Sequence, residues 1–433
     1  MLLPLLAVLR CAAAAATEPF WAQHEPAAVY TSASLTLTGS GTGAPFFATA
    51  SWINDPEFVG VFDTGTPDGS NDWTYAAPPG NDKQVPAWQV VQARHAGAAG
   101  VGRVDTFAAL GTWFAPYECR VFAWSSAGGA APAWAFSLPN CSSGAAALSM
   151  EADSVVAVSD DGSTAAFSGY AGGAPMLWVF DLQSGRQRFN ATAPPECYGS
   201  GPVTLSATGA WAAWSASNLL LVYDGATGAQ RGAPVKIGGG RCVVSDSGAL
   251  VLARGEALAW SAAAGAYQQW RVFALPADGL EWSVQSIALG GDGTDAGALA
   301  AFGYFAVNDN ERRARVALFS AASGALVADY TSPEAAQLQT DAVVRASGAY
   351  AAAALWGDAD DFPTVVVIKA GAAAPLLAYV TPGSMFAVDI AVDAAAGNAT
   401  HDAVFVVAAG KHVPANVMGD GGDAYAWRLD VEK

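Results

Sequence analysis

The chain has 433 residues, of which 52% are hydrophobic and 13% charged, a balance that excludes intrinsic disorder. A net charge of −18 excludes a general nucleic-acid binder, because neutralising phosphates needs Lys and Arg. No apolar run approaches the ~20 residues of a bilayer-spanning helix, so no membrane span is expected.

Residues 1–16 read MLLPLLAVLRCAAAAA, an apolar stretch followed by alanines. Ala14-Ala15-Ala16 offers a small-residue cleavage site before Thr17. The expectation is a signal peptide over 1–16 and a single mature domain over 17–433, secreted or in the lumen of the secretory pathway. Beyond the leader stand four cysteines, Cys119, Cys141, Cys197 and Cys242. An even number suits two disulfides in an oxidising compartment, with three connectivities open. Asn140, Asn190 and Asn398 head glycosylation sequons.

Taken in chain order, the mature segment is short β-branched and aromatic runs punctuated by Gly, Ser, Asp and Pro. Phe58–Tyr75 and Arg120–Phe136 are loose copies of one hairpin: apolar strand, Asp or Ser, three residues, Gly, strand. Sharper copies turn at Asp181 and Gly185, Asp224 and Gly228, Ser261 and Gly265, and Ser320 and Gly324. A second hairpin, strand, Ser-x-x-Gly, strand, runs through Val155–Phe167, Val203–Trp214 and Cys242–Ala253, with a divergent copy at Val343–Leu355. Its turn residues, Gly162, Gly209, Gly248 and Gly348, suit tight turns that need positive φ.

The two hairpins alternate with a period of roughly 47 residues, the sequence form of a four-stranded propeller blade. Eight units follow, over about 29–84, 85–147, 148–198, 199–238, 239–280, 281–334, 338–381 and 382–433. Seven is the alternative if the first or last unit is an embellishment. The last unit ends on the strand AYAWRLDVE and lacks a fourth, which Pro19–His24 can supply, closing the ring. The expected fold is therefore an all-β propeller closed by an N-terminal strand. "Val-Phe-Asp-x-x-x-Gly" and "Val-Ser-Asp-Asp-Gly" resemble the repeats of WD40-like, YVTN-type and quinoprotein-like propellers. That resemblance implies a fold and not an activity.

Placing the cysteines on such blades favours the pairs Cys119–Cys141 and Cys197–Cys242. G-x-S-x-G, H-E-x-x-H and Walker A motifs are missing, so no catalytic residue is proposed and the chain leans away from being an enzyme. The four histidines, His24, His95, His401 and His412, fall in different units, which argues against a His-rich metal centre. Most of the 15 Trp are expected between blades.

Loops joining second to third strands share a face with the loops between blades, and ligands are expected there. On that face the acidic loops come from units seven, eight and one: Asp358, Asp360 and Asp361; Asp420 and Asp423; Asp55 and Glu57. These seven are the candidate binding residues. Clustered carboxylates suit a hard cation, so Ca²⁺ is the one ion considered, and no other cofactor is expected. The resulting expectation is a monomeric binding module for a protein or glycan on the loop face. The alternatives are a propeller hydrolase or lyase acting on an extracellular glycan, and a quinoprotein-like oxidoreductase.

Overall fold

A computed structural model describes residues 17–433 apart from 27–28, 38–44, 53–57, 67–68, 70–71, 77–86, 95–102, 112–117, 143–154, 238–239, 254, 276, 293, 308–311, 333–341, 357–361, 394–395 and 414–420. Eight antiparallel sheets stand around an axis, numbered here as blades 1–8 in the order of their innermost strands. Helix is confined, among the described residues, to one 3₁₀ turn at Ser126–Gly128.

Each of blades 1–7 runs outward in chain order. Blade 4 is typical, with strands Ser200–Leu205, Trp211–Ala216, Leu219–Asp224 and Val235–Lys236. The first hairpin of such a blade turns on glycine: Gly162, Gly209, Gly248 and Gly348 have φ of 68°, 67°, 65° and 55°. A Cβ there would be strained in the left-handed region. Inner strands read as near-continuous apolar runs such as YAAAAL at Tyr350–Leu355, buried throughout because both faces of the sheet meet a neighbouring blade. Small Ala side chains let the sheets approach near the axis, and large aromatics fill the widening gaps further out.

The core is accordingly divided into eight clusters, one in each seam between neighbouring blades. Trp124, Trp214 and Trp427 are fully buried, in the packing role expected of the tryptophans. On the hairpin side, hydrogen bonds pass from blade to blade. Asp161 N donates to Ala207 O (3.2 Å), Thr208 N to Asp246 Oδ1 (3.0 Å), Ser247 Oγ to Asp295 Oδ2 (2.7 Å) and Gly291 N to Gly348 O (2.7 Å).

The ring closes as the sequence suggests. Blade 8 has three strands from the C-terminal end, Met385–Asp393, His401–Lys411 and Gly422–Glu432. Its outermost strand is Trp21–Glu25, antiparallel to Gly422–Glu432 with Trp21 opposite Ala426 and His24 opposite Asp423. Trp21 also packs its ring 5.8 Å from Phe47 and 5.6 Å from Phe62 of blade 1. The N-terminal strand thus caps an exposed edge and fills the last seam together.

The cysteines depart from expectation in one pair. Cys119 and Cys141 form a disulfide with Cα atoms 5.2 Å apart. Cys141, however, begins the short strand Cys141–Ser142, which pairs with Thr164–Ala171 of blade 3 and not with unit two. The bridge therefore ties blade 2 to blade 3. Cys197 and Cys242 are free and buried, which corrects the expected Cys197–Cys242 bridge. Cys197 packs in the seam between blades 3 and 4, Cys242 in the seam between blades 4 and 5. The sheet of blade 4 stands between the two thiols.

Candidate functional site: the axial cavity and the closing rim

Two places gather polar chemistry among the described residues. The first is a cavity of about 510 Å³ on the ring axis, walled by the innermost strands of all eight blades and the hairpins that follow them. Three arginines (Arg94, Arg241, Arg345) and four aspartates (Asp160, Asp161, Asp246, Asp389) line it. Most lining residues lie in the second half of those strands or in the hairpins, so the cavity sits toward the hairpin side of the channel.

Its centre is a buried ionic knot. Asp389, 3% exposed, comes from the innermost strand of blade 8. Its Oδ1 accepts from Arg94 Nη2 at 2.8 Å and Nε at 3.2 Å. Its Oδ2 accepts from Leu35 N at 3.1 Å and Ser34 Oγ at 3.3 Å, both in blade 1. Arg94 Nη1 goes on to the carbonyl of Ala346 in blade 7 (2.9 Å). One carboxylate and one guanidinium thus join blades 7, 8, 1 and 2. Burial pushes the neighbouring Arg345 guanidinium down to about 10, against the opposing pull of Asp389. Asp389 therefore offsets the cost of holding two guanidinium groups out of water.

The second place is the outer rim of blade 8, at the end of the sheet facing the inter-blade loops. Two adjacent strands and the residue just past the end of a third each bring one group. His24 lies opposite Asp423 in the ladder. His412 N donates to Gly421 O (3.0 Å), putting the His412 side chain diagonal to Asp423. The Asp423 side chain is 4% exposed, and its two oxygens are each 2.9 Å from an imidazole Nδ1, Oδ1 from His24 and Oδ2 from His412. Tyr425 OH donates to Oδ2 at 3.1 Å. The imidazole rings are half exposed with centroids 4.4 Å apart. Gly421, at φ +99°, makes room: a Cβ there would stand 3.1 Å from His24 Cε1.

Of the seven acidic candidates, Asp423 alone is described, and it faces two histidines instead of solvent. Asp55, Glu57, Asp358, Asp360, Asp361 and Asp420 lie outside the described residues. Asn140, Asn190 and Asn398 are all exposed, Asn398 with its Oδ1 accepting from Thr400 N and His401 N at 2.9 Å each. The reading that the histidines are scattered is corrected for His24 and His412. Ring closure carries the N-terminal strand, and His24 with it, into blade 8. The signal for this lay in the proposed closing strand itself, which contains His24. Arg94 and Asp389 carried no signal in the sequence: each is a lone charge beside an apolar run.

No protein-family model and no curated protein sequence matches the chain. Among solved structures it is similar to Sqt1 of Saccharomyces cerevisiae, at 10% identity and a TM-score of 0.57, over 96% of this chain and 98% of that one. It also aligns with the Dos1 propeller at 10% identity and a TM-score of 0.42, over 94% of each chain. The likeness to Sqt1 concerns the fold alone.

Proposed function

We propose that this propeller is a binding module of the secretory pathway or the extracellular space, taking a polar protein or glycan ligand at the hairpin-side mouth of its axial cavity. One observation carries the reading: a cavity of about 510 Å³, within the usual range for ligand sites, where guanidinium and carboxylate groups from many blades converge. Paired guanidinium and carboxylate groups bind hydroxyl and amide groups through two-point hydrogen bonds, the chemistry of sugars and peptide backbones. The inter-blade hydrogen bonds on the hairpin side hold those groups in place, so little ordering is needed on binding. The apolar, alanine-rich sequence of residues 1–16, the three exposed sequons and the Cys119–Cys141 bridge support the compartment.

The test is binding to a glycan array and a peptide library by three proteins: the parent, Arg241→Gln with Asp246→Asn, and Asp358→Asn with Asp360→Asn and Asp361→Asn. The cavity reading expects the first variant to lose at least tenfold in affinity and the second to bind like the parent. The reverse pattern moves the ligand to the loop face, and turnover of any bound glycan overturns the non-catalytic reading.

A further inference from the structure

We propose that His24, His412 and Asp423 form a site for a borderline divalent transition metal, Zn²⁺ before others, that clasps the N-terminal strand onto the last blade. The donor set is two imidazole nitrogens and one carboxylate, the composition that suits Zn²⁺ and its neighbours and not the all-oxygen preference of Ca²⁺. The three ligand atoms all lie within 4.8 Å of one another. Each nitrogen–oxygen distance to Asp423 is already 2.9 Å. With metal–ligand bonds of about 2.0–2.1 Å, adjacent ligand atoms stand roughly 2.9 Å apart at right angles and roughly 3.3 Å apart in a tetrahedron. The ligand atoms, within 4.8 Å of one another, close to that spacing on metal entry by rotation of the half-exposed rings, leaving the remaining positions to water.

The protonation chemistry fits the same step. An ionised Asp423 can only accept, so each imidazole now donates Nδ1–H to it. On metal entry each ring proton moves to Nε2 and Nδ1 becomes the ligand, with no net proton lost from neutral rings. The Tyr425 hydroxyl, bonded to Oδ2, stays as the outer partner that orients the carboxylate. The nearest lysine in the chain, Lys411, alternates to the other side of the strand, where its ammonium stands 5.9 Å from the Trp356 ring and 6.0 Å from the Phe386 ring. It therefore does not occupy the place of the metal.

Topology gives the site its consequence. His24 and Asp423 are 399 residues apart in sequence, and among the described residues the strand bearing His24 is the only N-terminal contribution to the sheet of blade 8. A metal bound across them stabilises the closed ring and not the opened one, so it must raise the melting temperature by mass action.

The experiment is calorimetric titration of the EDTA-stripped full chain with ZnCl₂ and with CaCl₂, paired with thermal unfolding and with Co²⁺ absorbance. The variants are His24→Gln, His412→Gln and, as a control, His401→Gln. One equivalent of Zn²⁺ should bind and raise the melting temperature, and Co²⁺ should give visible d–d bands. His24→Gln and His412→Gln should each weaken Zn²⁺ at least tenfold and abolish the thermal shift, while His401→Gln changes neither. Both changed rings are half exposed, and each variant's unfolding without metal shows that it folds. Stoichiometric Zn²⁺ binding that survives His24→Gln, or a parent that binds no equivalent, overturns the proposal. A Ca²⁺ shift equal to that of Zn²⁺ overturns it as well.

Discussion

Asp389 on the axis and Asp423 on the rim are equally buried, each 3% exposed, and each joins the first part of the chain to the last. Their partners differ in kind. Asp389 faces Arg94, whose charge is permanent, and has Arg345 nearby. Asp423 faces two imidazoles and a phenol, all able to be neutral, with the imidazoles open to water. A carboxylate locked to a buried guanidinium is a structural fastening, because neither group can leave without stranding the other. A carboxylate held by half-exposed imidazole nitrogens can exchange its partners and so can serve as a site. The same substitution, Asp to Asn, separates the two cases.

Asp389→Asn should have the largest effect. It preserves shape but leaves Arg94 buried against a neutral amide and removes the opposing charge from Arg345. Removing one partner of a buried ion pair costs about 3–5 kcal/mol. The fall should appear in denaturant unfolding at neutral pH, with loss of contacts among blades 7, 8, 1 and 2. A variant as stable as the parent would break the distinction drawn between the two aspartates.

The next effect is on a seam fastened covalently. Replacing both Cys119 and Cys141 by Ser removes a bridge that closes a segment with a sequence separation of 22. Loop-closure entropy puts the loss at about 3 kcal/mol. The seams on either side of blade 4 have only free, buried thiols, and burial pushes Cys242 up to about 12. Those two thiols should react with a disulfide reagent only after unfolding, a direct check that they are unbridged.

These contrasts mark what the sequence could reveal. Turn glycines at fixed spacing and alternating hairpins made the eight blades legible, since the turn at Gly209 and its counterparts needs a residue without Cβ. The missing last strand made the closure legible, because an unpaired edge in a ring calls for a partner. The side of the sheet that a residue faces was not legible for Cys197 and Cys242. They precede or begin the first strands of adjacent blades, and nothing in their spacing says that blade 4 lies between them. The rim site stayed hidden because its ligands are almost a full chain length apart and meet only through closure. Arg94 and Asp389 were hidden for a different reason: pairing across the axis depends on radial direction, which periodicity does not encode.

Asp423→Asn should cost far less than Asp389→Asn when no metal is added. Asparagine keeps one acceptor oxygen for one imidazole. Its amide group then faces the other ring, which can change tautomer and accept at Nδ1. The expected loss is about 1 kcal/mol, that of one ordinary hydrogen bond. A loss as large as that of Asp389→Asn would mean that the imidazoles are held as cations, making the rim a second ionic fastening.

A third buried carboxylate sets the lower end of the scale. Asp105, 3% exposed in blade 2, has no cationic partner among the described residues; its Oδ1 accepts from Ser126 N (2.8 Å), Ser126 Oγ (2.7 Å) and Thr106 Oγ1 (3.0 Å). Burial raises it above the ordinary carboxylate range, although those hydrogen bonds pull the other way. A raised folded value means that the native state prefers the proton. The stability Asp105 contributes is therefore fully present below the unfolded value and is lost as pH rises through the folded one. Above the unfolded value that contribution declines, so the side chain becomes a cost to the fold as the pH rises. Asn at this position keeps an acceptor oxygen for the same three donors and has no charge to desolvate. Asp105→Asn should thus be neutral or slightly stabilising at pH 7, by at most about 1 kcal/mol, with the gain fading as the pH falls toward the ordinary carboxylate range. Urea unfolding across that pH span measures it. A variant clearly less stable than the parent at pH 7 would show that the Asp105 charge is wanted by a cation, and would move Asp105 toward the class of Asp389.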